Sequence, residues 1–341
     1  MRQFKLAFCI SALCAFGALP AAAQSAADFY KGKTVSIVVG FAPGGGYDLY
    51  GRLVARHMGA FIPGKPDVIV QNRPGAGSGT AASYIYNATN KDGTQIGIFL
   101  SHISLNRVLE KNTPYVFEKF TWLGRLNTTQ NLSIVWATSP VKTVEDAKTK
   151  EVVLAASGPE SATSRVPIAF NRLLGTKFKV VRGYDSSIKM AVAMEQGETE
   201  GVGGISLQAL QTMRPQWLEE KKLAFLYVTA MERHKSMPNV PAVPEFARND
   251  EERQILRFIM SSSDVGVALA GEPAIPAERA VALRKAFDSM VVDKAFIAEA
   301  DKMKLDLEPL GGEALMEIMG EMGSLPESVL NKARDLLQID G

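Results

Sequence analysis

Residues 35–52 read VSIVVGFAPGGGYDLYGR. A nearly continuous apolar run at 35–39 enters Gly40-Phe41-Ala42-Pro43-Gly44-Gly45-Gly46, and helical spacing follows over 49–58. A strand that is apolar on both faces belongs to a parallel sheet covered by helices on both sides. Glycines between such a strand and a helix bring bare N–H groups to the helix start, where orphan donors and partial positive charge suit an anion. A tight turn explains the same glycines. Asp48, in the first helical turn, either caps the helix or stiffens the loop and holds a water.

The same rhythm continues outward. Strands are expected at 67–71 and 95–100, a loop at 72–79, a helix at 80–88 and a turn at Asp92-Gly93. A second run begins near 127, with strands at 132–137, 151–155, 177–181, 201–205 and 222–228. Helices fall between them, one behind the Thr143-x-x-Asp146 cap signal, then 164–174 and 187–195. Three prolines space 237–244 as a linker without helical capacity, and 265–270 reads as a strand. Pro276 opens a helix, and 292–304, 312–322 and 326–338 are helical. This tail has too few strands for a sheet of its own, so it is expected to pack on the first. The fold class is α/β: two lobes, each with a mainly parallel sheet flanked by helices, joined by crossovers near 125 and 235. Lobe 1 is 24–126 plus 237–341, and lobe 2 is 127–236.

The first 23 of the 341 residues stand apart. MRQFKLAFCISALCAFGALPAAAQ has a basic start, a short apolar stretch and an A-x-A site, which predicts a signal peptide cleaved near Ala23 and a periplasmic protein. The alternative, an anchor helix, would need a longer apolar stretch. Cys9 and Cys14 both lie in the signal, so the mature chain has no disulfide, thiol nucleophile or cysteine metal ligand. Removing Arg2 and Lys5 lowers Lys+Arg from 38 to 36, equal to the 36 Asp+Glu. A neutral chain gives no sign of nucleic-acid binding.

The histidines, His57, His102 and His234, show no metal-ligand spacing, and no nucleophile elbow or P-loop is present. Gly77-Ser78-Gly79-Thr80-Ala81-Ala82 fits G-x-G-x-x-A, but Asn72-Arg73-Pro74 separate it from its strand, and Phe99-Leu100-Ser101 has no acidic residue where a ribose ligand belongs. No metal and no cofactor is expected. The loop at 156–161, ahead of a helix at 164–174, is a second strand–loop–helix N-terminus. Two such termini facing across a cleft would suit a carboxylate or dicarboxylate.

VSIVVGFAPGGGYDLYGRLVARHM, VIVQNRPGAGSGTAASYI and KDGTQIGIF, in that order and spacing, with KLAFLYVTAMERHKSMPNVPAVPEF near the second crossing, resemble the extracytoplasmic solute-binding proteins of tripartite tricarboxylate transporters, the Bug type. The resemblance spans about residues 28–320. It implies a type II periplasmic binding protein that captures a small organic acid by lobe closure and delivers it to integral-membrane transporter subunits, as a monomer and without catalysis. By position it implies a first ligand loop of Phe41, Ala42, Gly44, Gly45 and Asp48. It implies a second of Ser157, Gly158, Pro159, Glu160, Ser161 and Ser164, with Tyr184 and Glu200 beside it.

The chain departs from the family pattern mostly in the second lobe. Glu160 stands where glycine is common, Ser164 where histidine is, Gly183 where proline is, and Glu200 where aspartate is more usual. Glu160 is either a solvated loop tip or a selector for a neutral, hydroxylated or amine-bearing end. Arg73 either bonds nearby carbonyls or touches ligand at the rim, and Ser101 and His102 point to the same cleft. Trp122, Trp136 and Trp217 read as packing residues. Two other functions stay open: a binding module that presents ligand to a membrane receptor, and an exported enzyme using Asp48 or Glu160 as general base.

Overall fold

A computed structural model describes residues 25–99, 101, 105, 113–159, 161–184, 186–323 and 326–337. The signal at 1–23, His102 and Glu160 lie outside the described residues.

The strands run β1 (Thr34–Val39), β2 (Asp67–Asn72), β3 (Gln95–Ile98), β4 (Thr121–Asn127), β5 (Leu132–Trp136), β6 (Val152–Ala155), β7 (Phe178–Val181), β8 (Gly201–Ile205), β9 (Leu223–Val228), β10 (Val267–Gly271) and β11 (Leu310–Gly311). They form two sheets, ordered β11-β4-β10-β3-β1-β2 and β7-β6-β8-β5-β9. β2, β1 and β3 are parallel, while β10 runs antiparallel between β3 and β4. In the second sheet β7, β6 and β8 are parallel, and β5 runs antiparallel between β8 and β9. Each sheet is therefore mixed, with one principal strand reversed.

The run at 35–39 is apolar but for Ser36 because both faces of β1 are covered. Val35, Ile37 and Val39 enter one apolar cluster with Leu53, Val54 and Phe287, and Val38 enters another with Ala81, Ala82 and Trp122. Ser36, buried between them, accepts a hydrogen bond from Gln71 Nε2 at 3.2 Å. The second sheet is covered likewise: Val135, Val152 and Leu154 face one cluster, and Leu132, Ile134 and Val202 the other.

The described helices are α1 (Ala26–Tyr30), α2 (Gly46–His57), α3 (Gly79–Asn87), α4 (Asp146–Thr149), α5 (Ala162–Leu174), α6 (Ser187–Glu195), α7 (Leu207–Met213), α8 (Pro215–Glu219), α9 (Asp250–Val265), α10 (Ala277–Val291), α11 (Lys294–Lys302), α12 (Gly312–Gly323) and α13 (Glu327–Leu337). The Thr143 signal is used reciprocally: Thr143 Oγ1 accepts from Asp146 N, and Asp146 Oδ2 accepts from Thr143 N. The 265–270 segment is divided: Val265 closes α9, Gly266 turns with φ +55, and β10 follows. Pro276 caps α10 from outside rather than opening it.

The tail does not sit wholly on the first sheet. β10, α10 and α12 pack there, but Val329, Leu330, Ala333 and Leu337 of α13 join Phe170 of α5 in the second lobe's core. α9 belongs to both lobes. Ile255, Leu256, Phe258, Ile259 and Met260 lie in the second lobe's core, and Val265 in a core of the first. Between them Ser261 and Ser263 donate to the carbonyls three residues back, each at 2.6 Å. Trp122 and Trp217 are buried, and Trp136 meets Trp217 edge-on at 4.7 Å.

Candidate functional site

Strand direction locates the cleft. β4 runs with β1 and β3, so its end at Asn127 lies on the edge where β1 ends at Val39 and β3 at Ile98. The chain then crosses to Leu132, which pairs with Ile205 at the end of β8 and Val228 at the end of β9. β6 ends on that same edge, with Ala155 opposite Val202. The crossing thus joins the carboxyl ends of both sheets. Ligands of open α/β sheets bind outside such ends. The loops after β1 and β6 are the two jaws.

The first jaw is braced by charge. Asp48, 1% exposed, accepts from Gly44 N and Arg52 Nε through Oδ2, each at 2.8 Å, and from Asn72 Nδ2 through Oδ1 at 2.8 Å. Asn72 Nδ2 also donates to Phe41 O at 2.9 Å, and Arg52 Nη2 donates to Asn72 Oδ1 at 3.2 Å. Burial alone would raise the Asp48 carboxyl, but its bonds to Arg52, Gly44 and Asn72 outweigh burial and hold it below the usual carboxylate range. Asp48 therefore stiffens the loop. Gly44, at φ +87, spends its amide on this brace instead of on a ligand. Gly45 is the N-cap of α2, with no side-chain cap bond, and the space beside Gly46 is open.

A second loop buttresses the first. Ser78 Oγ donates to Gly40 O at 3.3 Å, and a Cβ on Gly40 would meet Ser78 Cβ at 2.6 Å. Only glycine lets the two loops approach this closely. Gly75, at φ +131, packs against Thr80, and Gly79 opens α3. Arg73 bonds through its amide to Val39 O, and its guanidinium lies 3.8 Å over the Tyr84 ring. That side chain belongs to a stack with α3.

The second jaw is braced by hydroxyls. Thr163 Oγ1 accepts from Ser157 N at 3.0 Å and lies 2.6 Å from Ser161 Oγ and 3.2 Å from Ser157 Oγ. Ser161 and Ser164 both donate to Gly158 O, at 2.7 and 2.9 Å. Ser164 is fully buried, so its hydroxyl faces into the loop. The next loop is tied in through Gly183 N to Ser157 O at 3.0 Å and Tyr184 N to Ala156 O at 3.3 Å. Gly183 has φ +110 and donates its N–H. Proline can do neither, which gives the departure at 183 a physical reason.

The expected site residues do not all converge. Phe41, Ala42, Gly44, Gly45 and Asp48 form one jaw, and Ser157, Gly158, Pro159, Ser161 and Ser164 the other; Ser101 is buried just past β3. Tyr184 borders the second jaw, but its hydroxyl donates to Glu198 at 3.2 Å. Glu200 lies away from the jaw. Its carboxylate accepts from Val153 N at 2.9 Å, three residues before Gly203, where α5 packs so tightly that a Cβ would meet Thr163 O. At about 3.3 Å per residue, that places Glu200 roughly 10 Å down the strand. Sequence reasoning missed the bracing residues Arg52, Asn72 and Thr163, although Arg52 stands one turn from Asp48, the i,i+4 spacing of a helical ion pair. Among the described residues no group of three or more His, Asp and Glu could hold a metal ion.

Residues 52–264 match the model of the tripartite tricarboxylate transporter family receptor. The chain is 26% identical over 250 residues to the UPF0065 protein in the gbd 5'region of Cupriavidus necator, covering 69% of this chain and 71% of the relative. A TctC solute-binding protein from Polaromonas superposes with a TM-score of 0.65 at 21% identity, covering 89% of this chain and 99% of that one. MatC from Rhodopseudomonas palustris, solved with bound malate, superposes at 0.63 with 19% identity, covering 90% and 99%. At such identities the structural likenesses establish the fold.

Proposed function

The chain belongs to the tripartite tricarboxylate transporter receptor family, whose members are periplasmic solute-binding proteins, and from that premise we propose that it holds a small carboxylate between its two jaws and delivers it to integral-membrane transporter subunits. The observation that carries the ligand class is the first jaw. There a buried, fully occupied Asp48 fixes a glycine loop at the start of a twelve-residue helix, with open space beside Gly46. The aligned peptide dipoles of α2 favour an anion there. MatC, of the same fold, holds malate.

On this reading Phe41, Ala42, Gly45 and the α2 terminus receive one carboxylate, and Gly158, Pro159 and Ser161 close over the far end. Asp48 and Ser164 shape the jaws without touching ligand. The chain binds without transforming its ligand, because Asp48, the candidate base on the described jaw, is locked to three donors and held ionised. Lobe 1 is assigned the first sheet and lobe 2 the second, with export by cleavage near Ala23.

Calorimetric titration with aliphatic, hydroxylated, keto and aromatic acids tests the proposal. Saturable binding to at least one acid is expected, with loss of about 100-fold in Gly45→Val at unchanged melting temperature. Full affinity in that variant would remove the first jaw from the site.

A further inference from the structure

Where a chain passes between two lobes only a few times, other contacts across the junction decide how the lobes stand. One charged cluster makes such a contact. Glu308 lies in the segment leading to β11, on lobe 1. Its amide donates to Leu126 O at 2.8 Å, and its carbonyl accepts from Arg125 Nε at 3.4 Å. Its Oε2 accepts from Thr128 Oγ1 at 2.8 Å, at the root of the first crossing. Its Oε1 accepts from Lys235 Nζ at 3.0 Å, and Lys235 stands on the 229–242 loop. That loop belongs to the second lobe: Met237 and Val240 pack in a core there, and Val228 N donates to Pro241 O at 2.9 Å. The bond between Lys235 and Glu308 therefore spans the lobes. α9, which also passes between them, is tied to the same place by Arg125 Nη1, donating to Asp264 O at 2.5 Å.

The two ends of this link are held differently. Burial alone would raise the Glu308 carboxyl, but its bonds to Thr128 and Lys235 and the field of Arg125 outweigh burial and keep it ionised. It is a fixed anion on lobe 1. Lys235 is 88% exposed and reaches it on a long, flexible stem. An exposed pair of this kind is screened by solvent and breaks at little cost. Asp264 beside it faces Arg125, Arg257, Glu232 and Glu308. With Lys235 the cluster holds three carboxylates and three cations, so no net charge drives the lobes apart when the link opens. A fixed anchor with a breakable end favours one lobe arrangement weakly enough for a ligand to change it.

We propose that the Lys235–Glu308 pair is a clasp across the lobe junction, which holds the lobes as they stand in this structure and sets one common factor in the affinity for every ligand. The affinity factor rests on the reading that two jaws grip a carboxylate. The clasp itself is tested without ligand, so the two can fail separately.

The exported chain lacks Cys9 and Cys14, so Ser289→Cys on α10 and Thr138→Cys just past β5, both exposed, give one label on each lobe. Paired spin labels then read the distance between lobes in ligand-free protein. The expected distribution is narrow and centred on the separation of these sites in the structure. Lys235→Met and Glu308→Gln each broaden it and move its centre, and the double variant goes no further than either alone. High salt moves the parent towards the variants and leaves the variants in place. Arg253→Met, which opens an ion pair with Asp250 inside α9, leaves the distribution unchanged. Identical distributions in the parent and Lys235→Met, additive effects of the two substitutions, or equal broadening in Arg253→Met would overturn the clasp. Calorimetric titration gives the second readout. Lys235→Met changes the dissociation constant of each of succinate, malate and adipate that binds by one shared factor of about two to five. Unequal factors would place Lys235 within reach of ligand, and unchanged constants would cut the link to affinity; either overturns the proposal. If none of these acids binds, the carboxylate reading fails, and the labelled distances still decide the clasp.

Discussion

In the first jaw one buried carboxylate, Asp48, gathers an amide, a side-chain amide and a guanidinium. In the second, the equivalent strand–loop–helix unit is gathered by a neutral hydroxyl, Thr163, with Ser157, Ser161 and Ser164 around it. Bonds to a charged acceptor are roughly twice as strong as neutral ones and fix the donors around it. Hydroxyls rotate, and each both donates and accepts. The first jaw is held rigid by these bonds, which on the proposed function suits the carboxylate common to its ligands. The hydroxyls of the second can exchange partners, which on the proposed function lets it follow the far end of the ligand.

The largest effect that could break this contrast is on stability. Asp48→Ala strips the first jaw of its acceptor and strands three donors, at a cost of about 2–4 kcal/mol in urea unfolding. Thr163→Val in the second costs about 1–2 kcal/mol. Equal costs would erase the distinction.

The next effect depends on pH. The Asp48 carboxyl lies below its unfolded value of about 4, so its stabilisation is complete above that value and disappears as pH falls through the lower folded value. Asp48→Asn therefore loses less stability than the parent between pH 5 and about pH 2, and Thr163→Val follows the parent's profile. Parallel parent and Asp48→Asn curves would show that other carboxylates control the acid limb.

Gly183→Ala sharpens the comparison from the other side. Open space surrounds Gly183, so the cost is backbone strain alone, about 1–3 kcal/mol at φ +110. Affinity should change for the far end of the ligand and not for monocarboxylates. The smallest effect belongs to Arg52→Gln. Its side chain is 43% exposed and solvent screens the pair, so its loss lowers stability least, and the difference shrinks in high salt.

Much of this architecture was legible because burial leaves a pattern. The run at 35–39 announced a strand covered on both faces, and the glycines after it announced a loop leading into a helix. Two elements carried no expectation. In β4, Gly124 and Arg125 interrupt the apolar pattern; Gly124 is there because a Cβ would enter the Phe287 ring, a demand made by a helix far along the chain. In α9, the apolar residues between 255 and 260 follow no single face, because the helix is buried on several sides. The braces were hidden for a similar reason: Asn72 reaches Asp48 only through the pairing of β2 with β1. Glu200 entered the expected site through the family resemblance; the structure places it just before β8, where its carboxylate accepts from Val153 N.

α9 has a consequence for how the molecule comes apart. One helix of 16 residues supplies core to both lobes, and α13 carries the tail of the first lobe into the second. Neither lobe can be excised with its interior complete. Loss of either strips apolar side chains from the other, so heat should melt the chain in one cooperative transition, with no stable half. A ligand held by one jaw then protects both from unfolding and proteolysis.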